Sequence, residues 1–310
     1  MSVSRPDLSI IIVSYNVRDL LRECLRSVAA SAARAPGLTV ETWVVDNAST
    51  DGSAEMVAAE FPEARLVAQR SNPGFAAANN VALRRATGRH LLLLNPDTVV
   101  RGDTLGATVR FLDANPRAGG VGAKLLNPDG SRQPSCFRFP PLPMAFLDFF
   151  PINHRLTSSR LNGRYPTRDD SRVYPIDHPL GAFFAVRREA FEMVGYLDEG
   201  FFMYCEEVDW ARRIWKAGFP IWYLPTTEVV HYGGQSAKQA RNRMYVELYR
   251  SRFRLFRKHE GPLYNLLVRG IVRLGLASEA RKCRKAAARC EITRIELEET
   301  LEAFRQVAKL

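Results

Sequence analysis

Asn95 and Asp97, separated only by Pro96, put a side-chain carbonyl and a carboxylate two residues apart. Oxygen donors of that hardness suit Mg²⁺ or Mn²⁺ holding a diphosphate. The same residues also suit an Asx-Pro turn that caps a helix beginning near Gly102, and the stretch alone does not choose. A second group lies at Glu206, Glu207 and Asp209, three carboxylates in four residues. Negative charge at a helix start favours the helix dipole, which is a purely stabilising role. The flanking Met203, Tyr204, Cys205 and Trp210 imply that part of this turn is buried. A carboxylate in apolar surroundings gains proton affinity, which a general base can use. His231 follows an apolar run and precedes Tyr232-Gly233-Gly234. A lone histidine is commonly a structural residue, but open backbone beside it favours access.

These residues need elements to hold them. In the stretch His90 to Val100, four leucines in a row after His90 read as a strand buried on both faces, stopped where Pro96 cannot donate to a ladder. Leu8–Val13 is a β-branched first strand ending in Ser14-Tyr15-Asn16, and an amphipathic helix follows with Leu20, Leu21, Cys24, Leu25 and Val28 on one face. Residues 39–45 form a second strand, running into Asp46 and a polar turn that caps a helix over 54–61. A short third strand over 64–68 leads to Asn72-Pro73-Gly74 and an alanine-rich helix over 76–86 that contains Asn79. Four strand–helix alternations with short connections imply parallel pairing and an α/β fold. Tyr15, Asp46, Asn72 and Asp97 then share one sheet edge, where such folds bind ligands.

Further on, the pattern predicts a helix over 103–115, a strand over 120–126 and a turn at Asn127-Pro128-Asp129-Gly130. Residues 133–178 are rich in Pro and Phe and sustain no period. They read as an irregular acceptor-side loop region, either a flap or a surface excursion. Leu180–Val186 reads as a strand whose Gly181-Ala182 leaves room for close approach. A helix from the acidic turn through Lys216 and short strands over 219–224 and 228–230 complete this part.

The 310 residues carry a net charge of +11, which suggests nucleic acid until it is located. Residues 235–310 hold 18 Lys and Arg against 8 Asp and Glu, so ten of the eleven net charges belong to the tail. No recognised nucleic-acid module accompanies them, so no nucleic-acid partner is expected. Five scattered cysteines without a CxxC pair suggest neither zinc nor disulfides. With no signal-peptide pattern and no apolar run near the roughly 20 residues of a spanning helix, a cytoplasmic protein is expected.

Taken in order, VSYN at 13–16, VDNASTDGS at 45–53, NPGFAAANN at 72–80, LLLNPDT at 92–98, LGAFFAVRREAF at 180–191, MYCEEVDW at 203–210 and HYGG at 231–234 resemble the family 2 glycosyltransferases. More narrowly, they resemble the bacterial rhamnosyltransferase-like branch, over roughly residues 7–235. The resemblance implies a GT-A fold: a nucleotide-diphospho-sugar transferase with a mostly parallel central sheet flanked by helices. It implies a catalytic domain over 1–235 and a basic helical extension over 236–310. By position, Ser14, Tyr15 and Asp46 would hold a pyrimidine nucleoside, and Asn72 and Asn79 would lie near the diphosphate or sugar. Asn95, Asp97 and His231 would hold Mg²⁺ or Mn²⁺, with Asn95 a neutral replacement in the Asp-x-Asp pattern. Glu207 would be the catalytic base, where the family usually has Asp, with Glu206 and Asp209 as fallbacks.

The implied activity is metal-dependent inverting transfer, most simply of L-rhamnose from dTDP-rhamnose, to a lipid-linked or polysaccharide acceptor of the cell envelope. Two alternatives stand beside it: a UDP-hexose donor, or a degenerate peripheral membrane protein that binds nucleotide sugar without turnover. In the tail, Leu263–Leu276 is apolar apart from Asn265, Arg269 and Arg273. Such a segment could lie on an anionic surface, such as the inner face of the plasma membrane, or pack back on the protein.

Overall fold

The computed structural model describes residues 5–165, 171–234 and 240–310. The expected boundary at 235/236, the start of the basic stretch at Lys238, and Pro166 in the irregular region lie outside the described residues. The chain folds as two compact units. The first lies within Met1–Phe137, Arg168–Phe202 and Glu206–Ser236; the second lies within Arg138–Thr167, Met203–Cys205 and Ala237–Leu310.

The first unit begins with β1 (Leu8–Ser14), every residue of which is buried. Helix α1 (Arg18–Ala33) buries Leu21, Cys24, Leu25 and Val28 of the expected face, while Leu20 at its edge is only half-buried. Then follow β2 (Val40–Asp46), α2 (Ser53–Glu60), β3 (Arg65–Ala68), α3 (Phe75–Leu83) and β4 (His90–Leu94). β1 pairs in parallel with both β2 and β4, and β2 with β3. The parallel half expected from the alternation is therefore present, with its strand carboxyl ends on one edge.

Beyond β4 the chain departs from expectation. Thr98-Val99-Val100 does not continue the turn toward a helix but forms a further strand, β5 (Thr98–Arg101). Its β-branched residues favour extended backbone, and it joins the far edge of the sheet before α4 (Thr104–Ala114). After β6 (Gly120–Leu126), the irregular stretch yields β7 (Arg132–Gln133), β8 (Cys136–Phe137), β9 (Tyr174–Ile176) and β10 (His178–Pro179). Strand β11 (Phe183–Arg187) inserts antiparallel between β4 and β6. Helices α7 (Arg188–Val194) and α8 (Glu206–Lys216) lead to β12 (Ile221–His231). The two short strands expected over 219–230 are this single strand, interrupted by a register shift between Leu224 and Glu228. Pro225 lacks the N–H a regular ladder needs, and Thr227 Oγ1 donates to Leu224 O at 2.6 Å across the irregularity.

The main path of the sheet runs β3-β2-β1-β4-β11-β6-β12-β5. Its core is aliphatic, with Ile10, Ile12, Val44, Leu92, Leu94 and Ala185 among the buried members. Antiparallel pairing of β12 with β5 sets His231 opposite Thr98. The unforeseen strand thus brings a histidine from the end of β12 to the turn after β4.

The second unit combines α5 (Leu142–Leu147), α6 (His154–Thr157) and a 3₁₀ turn (Arg160–Asn162) with α9 (Arg241–His259), α10 (Pro262–Ala288) and α11 (Arg294–Lys309). Part of the stretch read as an acceptor-side loop of the catalytic domain therefore belongs to the helical unit. Phe149, Tyr249, Phe253, Phe256, Val268, Val272 and Leu276 share its core.

Candidate active site

Asp97 lies in the turn between β4 and β5, only 6 % exposed. The turn is pinned from below: Thr98 Oγ1 donates to Asn95 O at 2.7 Å, and Cys24 Sγ of α1 reaches the same carbonyl at 3.6 Å. Burial pushes the Cys24 thiol up to about 12, so it supports the turn as an uncharged group. Tyr232 N donates to Asp97 O at 3.0 Å, which ties the turn to the end of β12. His231 Nε2 consequently stands 3.4 Å from Asp97 Oδ1. Nε2 is buried and makes no hydrogen bond. An unpartnered imidazole nitrogen beside a carboxylate oxygen, with the half-buried Asn95 two residues away, fits a divalent cation.

A second polar group forms on the same edge. Ser14 and Asp46 pair in register at the carboxyl ends of β1 and β2. Asp46 Oδ2 accepts from Ser49 N at 2.9 Å, whereas Asp46 Oδ1 and Ser14 Oγ are buried without partners. Two adjacent orphaned groups cost roughly 1–3 kcal/mol each unless something supplies their hydrogen bonds. Tyr15 is half-buried between these strands' ends and the left-handed Asn16 at φ 51°. Asn72 Oδ1 accepts from Gly74 N at 2.9 Å and from Asn47 Nδ2 at 3.3 Å. Asn79 is different: its amide bonds Phe75 O one turn back and is almost wholly buried, although its Oδ1 lacks a partner.

The acidic turn opens α8. Glu206 is 5 % exposed with Oε2 unpartnered, and burial, then the neighbouring Glu207, holds its carboxyl well above the usual range. Burial likewise pushes Glu207 up to about 7. Its Oε2 also lacks a partner. Asp209 is wholly buried and binds Arg213 Nε at 2.9 Å, while Arg213 reaches Val194 O and Tyr196 O. That carboxylate is held in a buried ion pair with Arg213. Its i, i+4 spacing to an arginine was the signal available in the sequence.

A chain of contacts joins the acid to the Asn95–Asp97 turn. Asn95 N donates to Ala182 O at 3.0 Å. A β-carbon on the adjacent Gly181 would stand 3.6 Å from Glu207 Cγ. The room expected at Gly181 is therefore filled by Glu207 itself. On the other flank, Phe75 N donates to Phe202 O at 2.7 Å, so the Asn72–Gly74 turn borders the segment leading to α8. Asp97, His231, Asp46, Ser14, Asn72 and Glu207 thus come to one edge. Sequence reasoning missed Gln133, whose Oε1 lies 2.7 Å from His231 Nδ1. Among the described residues no group of three or more His, Cys, Asp or Glu side chains is arranged to hold a metal unaided. Other oxygens, such as those of a diphosphate, would have to complete the shell.

The mostly parallel sheet with flanking helices, carrying a buried carboxylate turn, unpartnered polar groups at the strand ends and an acidic helix start on one edge, is the architecture of a GT-A-like glycosyltransferase. The family model for glycosyl transferase family 2 matches residues 9–195, and the chain belongs to that family. It is 29% identical over 249 residues to the N-acetylglucosaminyl-diphospho-decaprenol L-rhamnosyltransferase of Mycobacterium tuberculosis, covering 74% of this chain and 77% of that one. Rhamnosyltransferase WbbL of Escherichia coli is 26% identical over 166 residues, covering 51% and 61%. Among solved structures, mannosyltransferase PcManGT from Pyrobaculum calidifontis, in complex with GDP-Man and Mn²⁺, aligns with a TM-score of 0.57 at 19% identity. That alignment covers 99% of this chain and 87% of the other.

Proposed function

We propose that this enzyme moves L-rhamnose from dTDP-rhamnose, with inversion, to a lipid-linked or polysaccharide acceptor in cell-envelope glycan synthesis. The observation that carries the mechanism is the linkage of Asp97, Asn95, Gly181 and Glu207 along one edge. The choice of sugar rests on the rhamnosyltransferase relatives. Asp46 Oδ1 accepts from the imide N–H of the pyrimidine, Ser14 Oγ bonds the nucleoside, and Tyr15 lies beside the base. Asn72 and Asn79 lie near the diphosphate or sugar. Asp97, Asn95 and His231 would hold Mg²⁺ or Mn²⁺, which when bound would supply positive charge to offset the negative charge developing on the departing diphosphate.

Glu207 accepts the proton of an acceptor hydroxyl. The hydroxyl oxygen bonds to the anomeric carbon from the face opposite the diphosphate, whose oxygen leaves with the electron pair of the broken bond. One displacement inverts the centre. Carboxylates play related roles in glycoside hydrolysis, with water in place of the alcohol. A donor panel of dTDP-rhamnose and UDP-hexoses, assayed for transfer with the parent and Glu207→Gln, tests the reading. Transfer from dTDP-rhamnose by the parent alone is expected. Saturable binding without transfer from any donor would leave the degenerate binding protein in its place.

The acceptor reading extends to an anionic membrane surface. Leu263, Leu266 and Leu274 of α10 are 69 %, 68 % and 69 % exposed, while Val268, Val272 and Leu276 are buried in the helical core. The exposed leucines recur at helical spacing with Leu267, and the same face continues into Arg281, Arg284 and Lys285. An apolar half-stripe followed by a cationic half suits insertion into acyl chains beside anionic head groups. No helix among the described residues is long and apolar enough to cross a membrane.

A further inference from the structure

We infer that Gln133 is a positioning residue that fixes the tautomer of His231 and so turns the lone pair of Nε2 toward Asp97; this rests on the proposed cation site. The argument is a chain of donors and acceptors with fixed ends. Gln133 Nε2 lies 3.2 Å from His231 O and 3.0 Å from Asn127 Oδ1. A backbone carbonyl can only accept, so the Gln133 amide nitrogen must face it. Asn127 is oriented independently, because its Nδ2 lies 3.4 Å from Arg132 O and 2.9 Å from Ser131 Oγ. Its Oδ1 is therefore the acceptor that Gln133 Nε2 meets. With both amides fixed, the atom of Gln133 left facing His231 Nδ1, at 2.7 Å, is the carbonyl oxygen Oε1. An amide oxygen cannot donate, so Nδ1 carries the proton.

The consequence falls on the opposite ring nitrogen. In the neutral imidazole Nε2 then has a lone pair and no hydrogen. It is buried, makes no hydrogen bond and stands 3.4 Å from Asp97 Oδ1. Two electron-rich atoms so placed repel unless a cation lies between or beside them. Gln133 therefore prepares His231 as a metal ligand before any metal arrives, as partners of ligating histidines commonly do. The local fold gives it that position: β7 pairs antiparallel with β6, setting Gln133 opposite Leu125, while β12 runs beside β6 with Val229 at the same residue. The hairpin turn at Asn127–Gly130, closed by Gly130 N donating to Asn127 O at 2.9 Å, returns the chain so that Gln133 reaches the end of β12.

The test is a long-range ¹H–¹⁵N correlation spectrum of the metal-free full chain with ¹⁵N-labelled histidine, the His231 signals being assigned by a His231→Asn variant. The parent is expected to show His231 protonated on Nδ1 only. Gln133→Leu should shift the ring to a mixture or to the Nε2–H form, and Gln133→Glu, which retains an acceptor, should restore proton occupancy of Nδ1. In parallel, Mn²⁺ affinity in the presence of dTDP, read by electron paramagnetic resonance, should fall about 10- to 100-fold in Gln133→Leu. An Nε2–H ring or a doubly protonated ring in the parent overturns the inference, as does a Gln133→Leu variant with the parent's tautomer and Mn²⁺ affinity. Failure of the cation site itself would look different: the parent tautomer would be as stated, but Asp97→Ala would leave Mn²⁺ binding unchanged.

Discussion

Burial pushes the Glu207 carboxyl up to about 7, so near neutral pH a substantial share of it still carries its proton. A base must be ionised to act, and transfer should therefore rise with pH through about 7 and level off above it. Glu207→Gln should lower kcat by about 10²- to 10⁴-fold and remove that limb, with nucleotide affinity unchanged. The same group affects stability in the opposite sense. Its folded pKa is raised above the unfolded value, so the folded chain binds more protons and stability declines as pH rises from the ordinary carboxylate range through about 7. Glu206 shifts in the same direction and adds to the decline. Melting temperature against pH for the parent and Glu207→Gln should show a shallower fall in the variant. At this scale Asp97, Glu207 and His231 were legible because each sits at a polar break after an apolar run. Gln133 was not, since a glutamine in a proline-rich stretch carries no period, and its role arises only from a hairpin and a distant strand end.

Two glycines show how closely the elements are fitted. Gly74 has φ +95°, and a β-carbon there would come within 2.4 Å of Phe202 O. Gly74→Ala should cost about 2–4 kcal/mol in urea unfolding, from backbone strain and the displaced carbonyl together. Gly181 has no such constraint, and Gly181→Ala meets Glu207 at ordinary contact distance, leaving stability within about 1 kcal/mol. A bulkier Gly181→Leu displaces Glu207 and should lower kcat in steady-state assays while nucleotide affinity is retained. The parallel half of the sheet was readable because β1 and β4 carry unbroken apolar runs, Ile10–Val13 and Leu91–Leu94, and β2 closes on Trp43-Val44-Val45 before a polar turn. β5 was hidden because four residues directly after a proline turn do not separate from that turn by pattern alone, and its partner, β12, lies more than a hundred residues away.

Over the whole molecule, the surplus positive charge lies with the helical tail rather than with the nucleotide-binding edge. Replacing Leu263, Leu266 and Leu274 with Glu should abolish co-sedimentation with phosphatidylglycerol vesicles and leave turnover of a water-soluble acceptor unchanged. Retained sedimentation would remove the leucine face from the membrane reading. The alternative of lying on a surface or packing inward was undecidable from composition because α10 does both, on opposite faces. Convergence of Asp97, His231 and Glu207 on one edge is tested most directly by Mn²⁺ binding in the presence of dTDP, measured alongside transfer for the parent, Asp97→Ala and Glu207→Gln. The expected result is equal Mn²⁺ affinity in the parent and Glu207→Gln, lost affinity in Asp97→Ala, and transfer by the parent alone. Unchanged Mn²⁺ affinity in Asp97→Ala, or parental transfer rates in Glu207→Gln, would contradict it.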